Sequence, residues 1–420
     1  MFVPEITEEQ FIADATAFLE ANASLKSEHS EFVWGQGPDN SAMFEKIDRE
    51  AERVELAESQ AWRAKKYDAG FGWISGPTAY GGSGLPRKYE RIWGQLEGKY
   101  ETPDGGFFGI GLGMVAPTIA EHGNPEVAGE LLPKLYRGDM VACQLFSEPG
   151  AGSDLASLQM RADRDGEEWI LNGQKVWTSG AHYSDVGEVI ARNDFDMPKH
   201  RGLTGFIVDM KAPGVDVRPL RQMTGGANFN EVYFTDVRVP DSHRLGDVNQ
   251  GWAVALTTLM NERASIGSGS GGGGGSFTKL REMARHYGVD DQATVRQQLM
   301  EIYTQGAVLG WSNRRTMDAL KAGKTPGPEM SLSKMSLVRQ MLLTCDFVSE
   351  VLGNRLTVDT GEWGTFSWSD YLLGVPAMRI AGGSDEVMRN IVGERVLGLP
   401  KEPGIDTTSP FRDIKVGTQR

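Results

Sequence analysis

A block of short β-type runs lies between two longer segments of helical periodicity, and this order restricts the possible folds more than any other feature. Between about residues 138 and 245, runs rich in Val, Ile, Phe and Trp are separated by Gly, Asp, Asn and Pro. Apolar residues at helical spacing dominate before and after this block. Such segregation is typical of an α+β protein. We predict an N-terminal helical domain at 1–137, a β-barrel or β-sandwich domain at 138–245 and a C-terminal helical bundle at 246–420.

Local signals add detail to this outline. Thr7, followed by acidic residues, predicts a helix N-cap, and Gly70 predicts the end of a long second helix. Asn172-Gly173 lies between two β-type runs and predicts a two-residue hairpin turn. The glycine-rich run 268–276 predicts a flexible loop within the C-terminal domain, although an engineered linker is an open alternative.

Composition excludes several classes of protein. The net charge of −14 argues against a dedicated nucleic-acid binder, because such proteins neutralise phosphates with Lys and Arg. The chain has two cysteines and six scattered histidines, so neither a disulfide framework nor a metal site is expected. An apolar run long enough to cross a membrane is missing. The N-terminal sequence MFVPEITEEQF does not resemble a secretory signal, which favours a cytoplasmic protein.

The run LFSEPGAGSDLASLQ at 145–159, here called the first signature segment, carries most functional information. A β-type run ends near Ser147, and the small residues that follow Pro149 can leave backbone N–H groups open to an anion. Ordinary loops share these features. The longer string CQLFSEPGAGSDLA, however, resembles the first signature of the acyl-CoA dehydrogenase family. VWTSGAHYSD at 176–185 is similar to the segment of that family that wraps the flavin, and the order and spacing also agree.

The resemblance implies a role for individual residues of these two strings. Phe146 and Ser147 match positions that contact the pyrimidine edge of the flavin of FAD. Trp177 matches the tryptophan that packs against the isoalloxazine ring, and Ser179 matches the hydroxyl residue near flavin N5. Ser153 matches a serine on the phosphate and pantetheine side, so it is a candidate for both cofactor and substrate binding. A buried structural tryptophan is the alternative for Trp177.

Two further segments resemble the family. Residues 221–252 are similar to its closing β segment, which would leave Asn228 and Asn230 structural or near the substrate thioester. Residues 379–400, here called the second signature segment, contain RIAGGSDEVMRN. By resemblance, Ser384 and Glu386 contact the nucleotide half of the cofactor. From the residues alone, a turn at 382–383 precedes a helix capped at Ser384 or Asp385, and a helix N-terminus also suits phosphate.

The general base is expected on the helix that follows the β domain. Removal of the α-proton of an acyl thioester needs a strong base, and a carboxylate desolvated against the flavin has a raised pKa. Many family members place this glutamate in the second signature segment, where the present chain has Gly382. A minority, including isovaleryl and long-chain types, place it before an arginine, which matches Glu262 and Arg263. The resemblance therefore implies that Glu262 is the base and that Arg263 lines the substrate pocket. It also implies that the Gly382 N–H polarises the thioester carbonyl. The alternative is that Glu262 and Arg263 are surface charges on a helix.

The resemblance implies oxidation of an acyl-CoA to its 2-enoyl form, with FAD as cofactor and an electron-transfer flavoprotein as electron acceptor. The chain departs from the family at two strings that normally hold the adenine half of FAD across a subunit interface, since SGGGGGSFTKL and VLGNRLTVDTGEWG stand in their places. A homo-oligomer, such as a tetramer, and a heterotetramer with a sister subunit both stay open. A flavin oxidase on the same fold and a non-catalytic partner subunit are the alternative functions.

Overall fold

The computed structural model describes residues 6–26, 32–44, 46, 48–103, 105–268, 276–321, 327–401 and 406–415, without the side chains of 263–268 and 320–321. The helices of the N-terminal region are α1 Glu8–Asn22, α2 Arg49–Asp68, α3 Lys88–Glu97, α4 Ala116–His122 and α5 Pro125–Arg137. Two short strands, β1 Ser24–Leu25 and β2 Tyr100–Glu101, pair with each other. Thr7 caps α1 through the Gln10 N–H, and α2 ends just before Gly70. Both signals read from the sequence are confirmed.

The middle of the chain forms a mostly antiparallel sheet. Its strands are β3 Ala142–Leu145, β4 Arg161–Asp165, β5 Glu168–Ser179, β6 Val186–Arg192, β7 Leu203–Asp209, β8 Val215–Leu220, β9 Phe229–Pro240 and β10 Arg244–Leu245. The strand order is β10-β7-β6-β4-β5-β9-β8, and β3 pairs in parallel with β6. A β domain between helical regions confirms the predicted α+β class.

The predicted hairpin at Asn172-Gly173 is wrong. β5 continues through both residues, and its register with β9 shifts there as a bulge. The Asn172 amide bonds Asp236 on β9, with Nδ2 donating to Oδ1 and Oδ1 accepting from the Asp236 N–H. Gly173 has a φ of +151°, which the bulge requires. The chain reverses instead at Gly166, between β4 and β5, where φ is +64°.

The C-terminal region is helical, with α6 Gly251–Ser268, α7 Phe277–His286, α8 Ala293–Lys321, α9 Ser331–Leu352, α10 Ser367–Met378 and α11 Asp385–Ile391. Of the predicted loop 268–276, Ser268 ends α6 and Ser276 caps α7, while 269–275 lie outside the described residues. None of the described helices is long and apolar enough to span a bilayer.

One apolar core joins the sheet to the helices. β6 and β7 contribute Ile190 and Ile207 to it, α4 contributes Ile119 and α6 contributes Val254. Because α6 packs directly on this face of the sheet, any residue further along α6 has its position set by the middle domain. A second core fills the other face of the sheet, and a third holds α7–α10 together.

Candidate active site

The first signature segment is fastened to β5 by a buried lysine. Lys175 is fully buried, and its Nζ donates to the Phe146 carbonyl at 3.0 Å and to Glu148 Oε1 at 2.9 Å. The Glu148 carboxylate also accepts the N–H groups of Gln159 and Met160. Burial lowers the pKa of Lys175, although its pairing with Glu148 opposes this shift. The pair holds Phe146 and Ser147 against the strand that carries Trp177.

Trp177 occupies a strained position on the surface of the sheet. Its φ is +62° inside a second bulge of β5, and its side chain is 58% exposed. The indole ring lies edge-on to Phe229, with ring centroids 5.9 Å apart. A bulky residue at positive φ costs on the order of 1–3 kcal/mol and persists mainly where function needs it. An exposed aromatic face beside half-buried Ser147 and Ser179 suits a flat aromatic ligand with a polar edge.

A cluster of polar side chains bonds the backbone of β5 next to Trp177. The Asn230 amide is fully buried, donating to the Thr178 carbonyl at 3.0 Å and lying 3.1 Å from His182 Nδ1. The His182 Nε2 contacts Glu52, at 2.9 Å, and Arg49 on α2. Burial lowers the pKa of His182. Of the two roles open for Asn230, these contacts support the structural one, and the Asn228 carbonyl likewise accepts the Gly180 N–H.

Ser153 lies exposed beyond the turn of the first signature segment. The next residue, Asp154, is held by Lys199, whose buried Nζ lies 2.7 Å from Asp154 Oδ1. The backbone groups of Glu148 and Ala151 bond each other and close the turn. The hydroxyl of Ser153 is therefore presented to solvent on a loop whose two ends are fixed.

The second signature segment is fastened by a different lysine. Lys334 on α9 is 8% exposed, and its Nζ donates to the Gly383 carbonyl at 2.8 Å, the Arg379 carbonyl at 3.3 Å and Asp385 Oδ1 at 3.3 Å. Arg379 Nε lies 3.0 Å from Asp385 Oδ2. Burial alone would raise the pKa of Asp385, but the hydrogen bonds from Arg379 and Lys334 lower it.

The backbone of this segment turns sharply at Gly382 and Gly383, where φ is +65° and +94°. Such a turn favours glycine, because an L side chain is strained there. Ser384 caps α11 by accepting the Val387 N–H, which confirms one of the two predicted caps, and Glu386 is exposed in the first turn.

Glu262 lies half-buried on α6, and the side chain of Arg263 lies outside the described part of the chain. Four residues earlier, and therefore on the same face of the helix, the buried Thr258 hydroxyl contacts Glu188 on β6 at 2.6 Å. That face of α6 is thus turned towards the middle domain.

Four of the predicted site residues lie close together where β3 and β5 end: Phe146, Ser147, Trp177 and Ser179. In the part of the chain that is described, no hydrogen bond or ion pair joins these residues to Ser384 or Glu386 of the second signature segment. Sequence reasoning missed Lys175, Lys334, His182 and Glu188. For Glu188 a signal was present, because a carboxylate inside the apolar run VGEVIA is costly to bury unless it has a specific role.

An exposed aromatic platform, flanked by hydroxyl groups and backed by a polar network, defines a site that fits the isoalloxazine ring of a flavin. Three family models match the chain: the N-terminal domain of acyl-CoA dehydrogenase over 41–139, the middle domain over 143–237 and the C-terminal domain over 249–397. The chain belongs to the acyl-CoA dehydrogenase family, whose members are FAD-dependent oxidoreductases.

Individual relatives agree with this assignment. The chain is 34% identical to acyl-CoA dehydrogenase IpdE1 of Mycobacterium tuberculosis, over 84% of this chain and 91% of that protein. It is 39% identical to acyl-CoA dehydrogenase FadE34 of the same organism over 77% of this chain, but it spans only 44% of the length of FadE34. The solved structure titled Tcur3481-Tcur3483 steroid ACAD matches with a TM-score of 0.72 and 25% identity, covering 96% of this chain and 100% of that chain.

Proposed function

We propose that the protein oxidises an acyl-CoA thioester to the trans-2-enoyl-CoA. The observation that carries this proposal is the exposed, strained Trp177 beside Ser179, in a chain whose three regions match the family in order. When bound, FAD supplies the acceptor for the hydride that leaves the β-carbon. An electron-transfer flavoprotein is the proposed acceptor of the electrons.

Residues of the chain itself would remove the α-proton, stabilise the developing negative charge and line the substrate pocket. The Glu262 carboxylate takes the α-proton as the hydride leaves the β-carbon, so that a double bond forms between the two carbons. The backbone N–H of Gly382 donates to the thioester oxygen and stabilises the negative charge that develops there. Arg263 would line the substrate pocket. The sharp turn that Lys334 holds gives the Gly382 N–H a fixed direction.

The proposed FAD contacts fall on both signature segments and on β5. Phe146 and Ser147 would meet the pyrimidine edge of the flavin, Trp177 its ring face and Ser179 the N5 edge. Ser153, which is exposed on a fixed loop, would meet the phosphates or the pantetheine of the substrate. Ser384 and Glu386 at the start of α11 would meet the nucleotide half, since a helix N-terminus favours phosphate.

Replacement of the base tests this assignment. Glu262→Gln should retain FAD, because the change removes a charge and little volume, but acyl-CoA should bleach its flavin at least about a hundredfold more slowly under anaerobic conditions. Glu301→Gln on α8 is the matched control, since Glu301 is exposed and forms a surface ion pair with Arg339. Unchanged bleaching of Glu262→Gln would show that another group is the base. Acyl-CoA thioesters with a steroid-derived group belong in the substrate panel, because the solved relative is titled a steroid ACAD.

A second candidate, one subunit of a mixed tetramer, is favoured by the surface around the second signature segment. Ile380, Leu397 and Leu399 are 69%, 67% and 57% exposed, and in the sequence they lie on either side of the proposed nucleotide contacts. Apolar side chains gathered on a surface commonly mark a protein interface. The FAD-to-chain ratio and the native mass of the purified chain separate the candidates. A homo-oligomer with one FAD per chain supports a complete enzyme, whereas a chain that retains little FAD until a sister subunit is added supports a half-site. Rapid reoxidation of the reduced flavin by O₂ would favour an oxidase instead.

A further inference from the structure

A buried chain of hydrogen bonds runs beneath the helix that carries Glu262. Glu188 on β6, Thr258 on α6 and Thr118 on α4 are all 0% exposed. Glu188 Oε1 lies 2.6 Å from Thr258 Oγ1, which lies 2.9 Å from Thr118 Oγ1, and Thr118 Oγ1 lies 2.9 Å from the Met114 carbonyl oxygen. These hydrogen bonds therefore connect β6 of the sheet to α6 and α4.

The hydrogen atoms available for this row of hydrogen bonds can be counted. The three shortest oxygen–oxygen contacts need three hydrogens, and the Met114 carbonyl can only accept. Thr258 Oγ1 also lies 3.2 Å from the carbonyl of Val254, one turn earlier on α6. Each threonine hydroxyl supplies one hydrogen. If Thr118 donates to Met114 and Thr258 donates to Thr118, the contact between Glu188 and Thr258 needs a hydrogen from the carboxyl group itself. The three shortest contacts therefore each have a hydrogen when Glu188 is a carboxylic acid that donates to Thr258, and only the longer approach to the Val254 carbonyl is without one.

The surroundings of Glu188 agree with the acid form. Its second oxygen, Oε2, is buried and has no hydrogen-bond partner among the described residues, which is far less costly for an acid than for a carboxylate. Burial raises the pKa of Glu188 to about 8, opposed only by the hydrogen bond with Thr258. In the sheet, Glu188 lies opposite Gln144 on β3 and Ile207 on β7, neither of which can compensate a negative charge.

No charged neighbour changes this balance in the described part of the chain. The titratable groups with described side chains on the elements packed on β6 are Cys143 on β3, Arg161, Asp163, Arg164 and Asp165 on β4, Asp209 on β7, Glu121 and His122 on α4, and Glu262 on α6. None of them is among the causes of the pKa shift of Glu188.

We infer that Glu188 is a positioning residue for Glu262, acting through the bonds from Glu188 to Thr258 and from Thr258 to Thr118. Thr258 precedes Glu262 by four residues, so the two side chains occupy neighbouring places on one face of α6. Fixing Thr258 to β6 sets the rotation and height of the turn from which Glu262 extends. A small misplacement of a catalytic group can slow a reaction a hundredfold. This inference rests on the proposed function, because it assumes that Glu262 is the base.

The charge state of Glu188 gives a test that needs no substrate. Between the ordinary carboxyl pKa and about 8, the folded protein keeps a proton on Glu188 that the unfolded chain releases. Stability should therefore fall as pH rises through this interval. Glu188→Gln has no such proton, and its amide can donate to Thr258 in the same way. The melting temperature of Glu188→Gln minus that of the wild type should therefore increase from pH 5 to pH 8. An equal pH dependence of the two proteins would overturn the acid assignment.

The positioning role is tested by the rate of anaerobic flavin bleaching. The probe is whichever of isovaleryl-CoA, octanoyl-CoA and a steroid-side-chain CoA thioester reduces the wild type fastest. Glu188→Leu and Thr258→Val should lower the limiting rate roughly tenfold to a hundredfold, with little change in the acyl-CoA concentration needed for half-saturation. Glu188→Gln should match the wild type at pH 7 and lose the decline that the wild type shows above about pH 8.

Thr344→Val is the matched control, because Thr344 is a buried threonine on α9 that bonds the Gln340 carbonyl of its own helix. It should lower the melting temperature without changing the bleaching rate. If Glu188→Leu and Thr258→Val behave like this control, Glu188 has only a structural role and the inference is wrong. If no acyl-CoA bleaches the wild type, the proposed function fails instead, and the comparison of melting temperatures still decides the state of Glu188.

Discussion

The two signature segments are both held by a buried lysine, yet they differ in what surrounds that lysine. Lys175 is fully buried inside the sheet and holds the first segment through Glu148 and a backbone carbonyl. Lys334 lies at the edge of the helical bundle and holds the second segment through two carbonyls and Asp385. Within the second segment itself, Ile380 and Leu397 are mostly exposed. The first segment is thus held by contacts inside the sheet, whereas the second carries apolar side chains that are exposed in the single chain.

The largest effect is expected at the first segment. Lys175→Met removes the ion-pair partner of the buried Glu148 carboxylate, which should cost about 3–5 kcal/mol of unfolding free energy and release bound FAD. Thermal unfolding and the flavin absorbance of the purified variant measure both effects. Lys211→Met, which breaks an exposed pair with Asp185, is the control and should cost less than about 1 kcal/mol. Equal stability of the two variants would contradict the difference drawn between buried and exposed pairs.

A smaller loss is expected at the second segment. In Lys334→Met the carboxylate of Asp385 keeps its bond to Arg379, so the cost should be about 1–3 kcal/mol. The turn at Gly382 loses its anchor, and the rate of flavin bleaching by acyl-CoA should fall more than the stability does. Lys334→Arg should recover part of the rate, since a guanidinium can reach the same carbonyls. A variant with full activity would show that the lysine does not hold the turn.

The pH dependence of the second segment separates its ion pairs from its backbone contacts. The pKa of Asp385 is lowered in the folded protein, so its bonds to Lys334 and Arg379 stabilise at neutral pH and are lost as pH falls below the ordinary value of 3.8. Asp385→Asn should cost about 1 kcal/mol at pH 7 and nothing measurable once Asp385 is protonated. Melting temperatures of both proteins from pH 7 down to pH 3 give the answer; a constant difference would exclude the ion pairs as its cause.

The smallest effect on stability is expected at the exposed apolar surface. Ile380→Ser should change the unfolding free energy of the isolated chain by less than about 0.5 kcal/mol, because Ile380 is 69% exposed. Its native mass, alone or mixed with a sister subunit, should nevertheless shift towards smaller assemblies. Unchanged assembly would place the subunit interface elsewhere.

The sequence predicted the elements that depend on local chemistry. Thr7 and Ser384 cap helices as expected, because a cap involves residues only three apart. The hairpin turn predicted at Asn172-Gly173 was wrong, because the bonds between Asn172 and Asp236 join residues 64 apart and stabilise a bulge in place of a turn. The roles of Phe146, Ser147, Ser153, Trp177, Ser179, Glu262, Arg263, Gly382, Ser384 and Glu386 stay predictions that the proposed experiments address.

By itself, the sequence determined the order of helical and β regions, the family and the place of the candidate base on the helix after the sheet. Only the tertiary structure decided which charged residues point inward and what they meet. Lys175 meets Glu148 across 27 residues, Lys334 meets Gly383 across 49, and Glu188 meets Thr258 across 70. Periodicity indicates which face of an element is buried, but the partner of a buried polar group depends on which elements pack together. That packing is set by the apolar cores of the whole chain, not by the neighbours of any one residue.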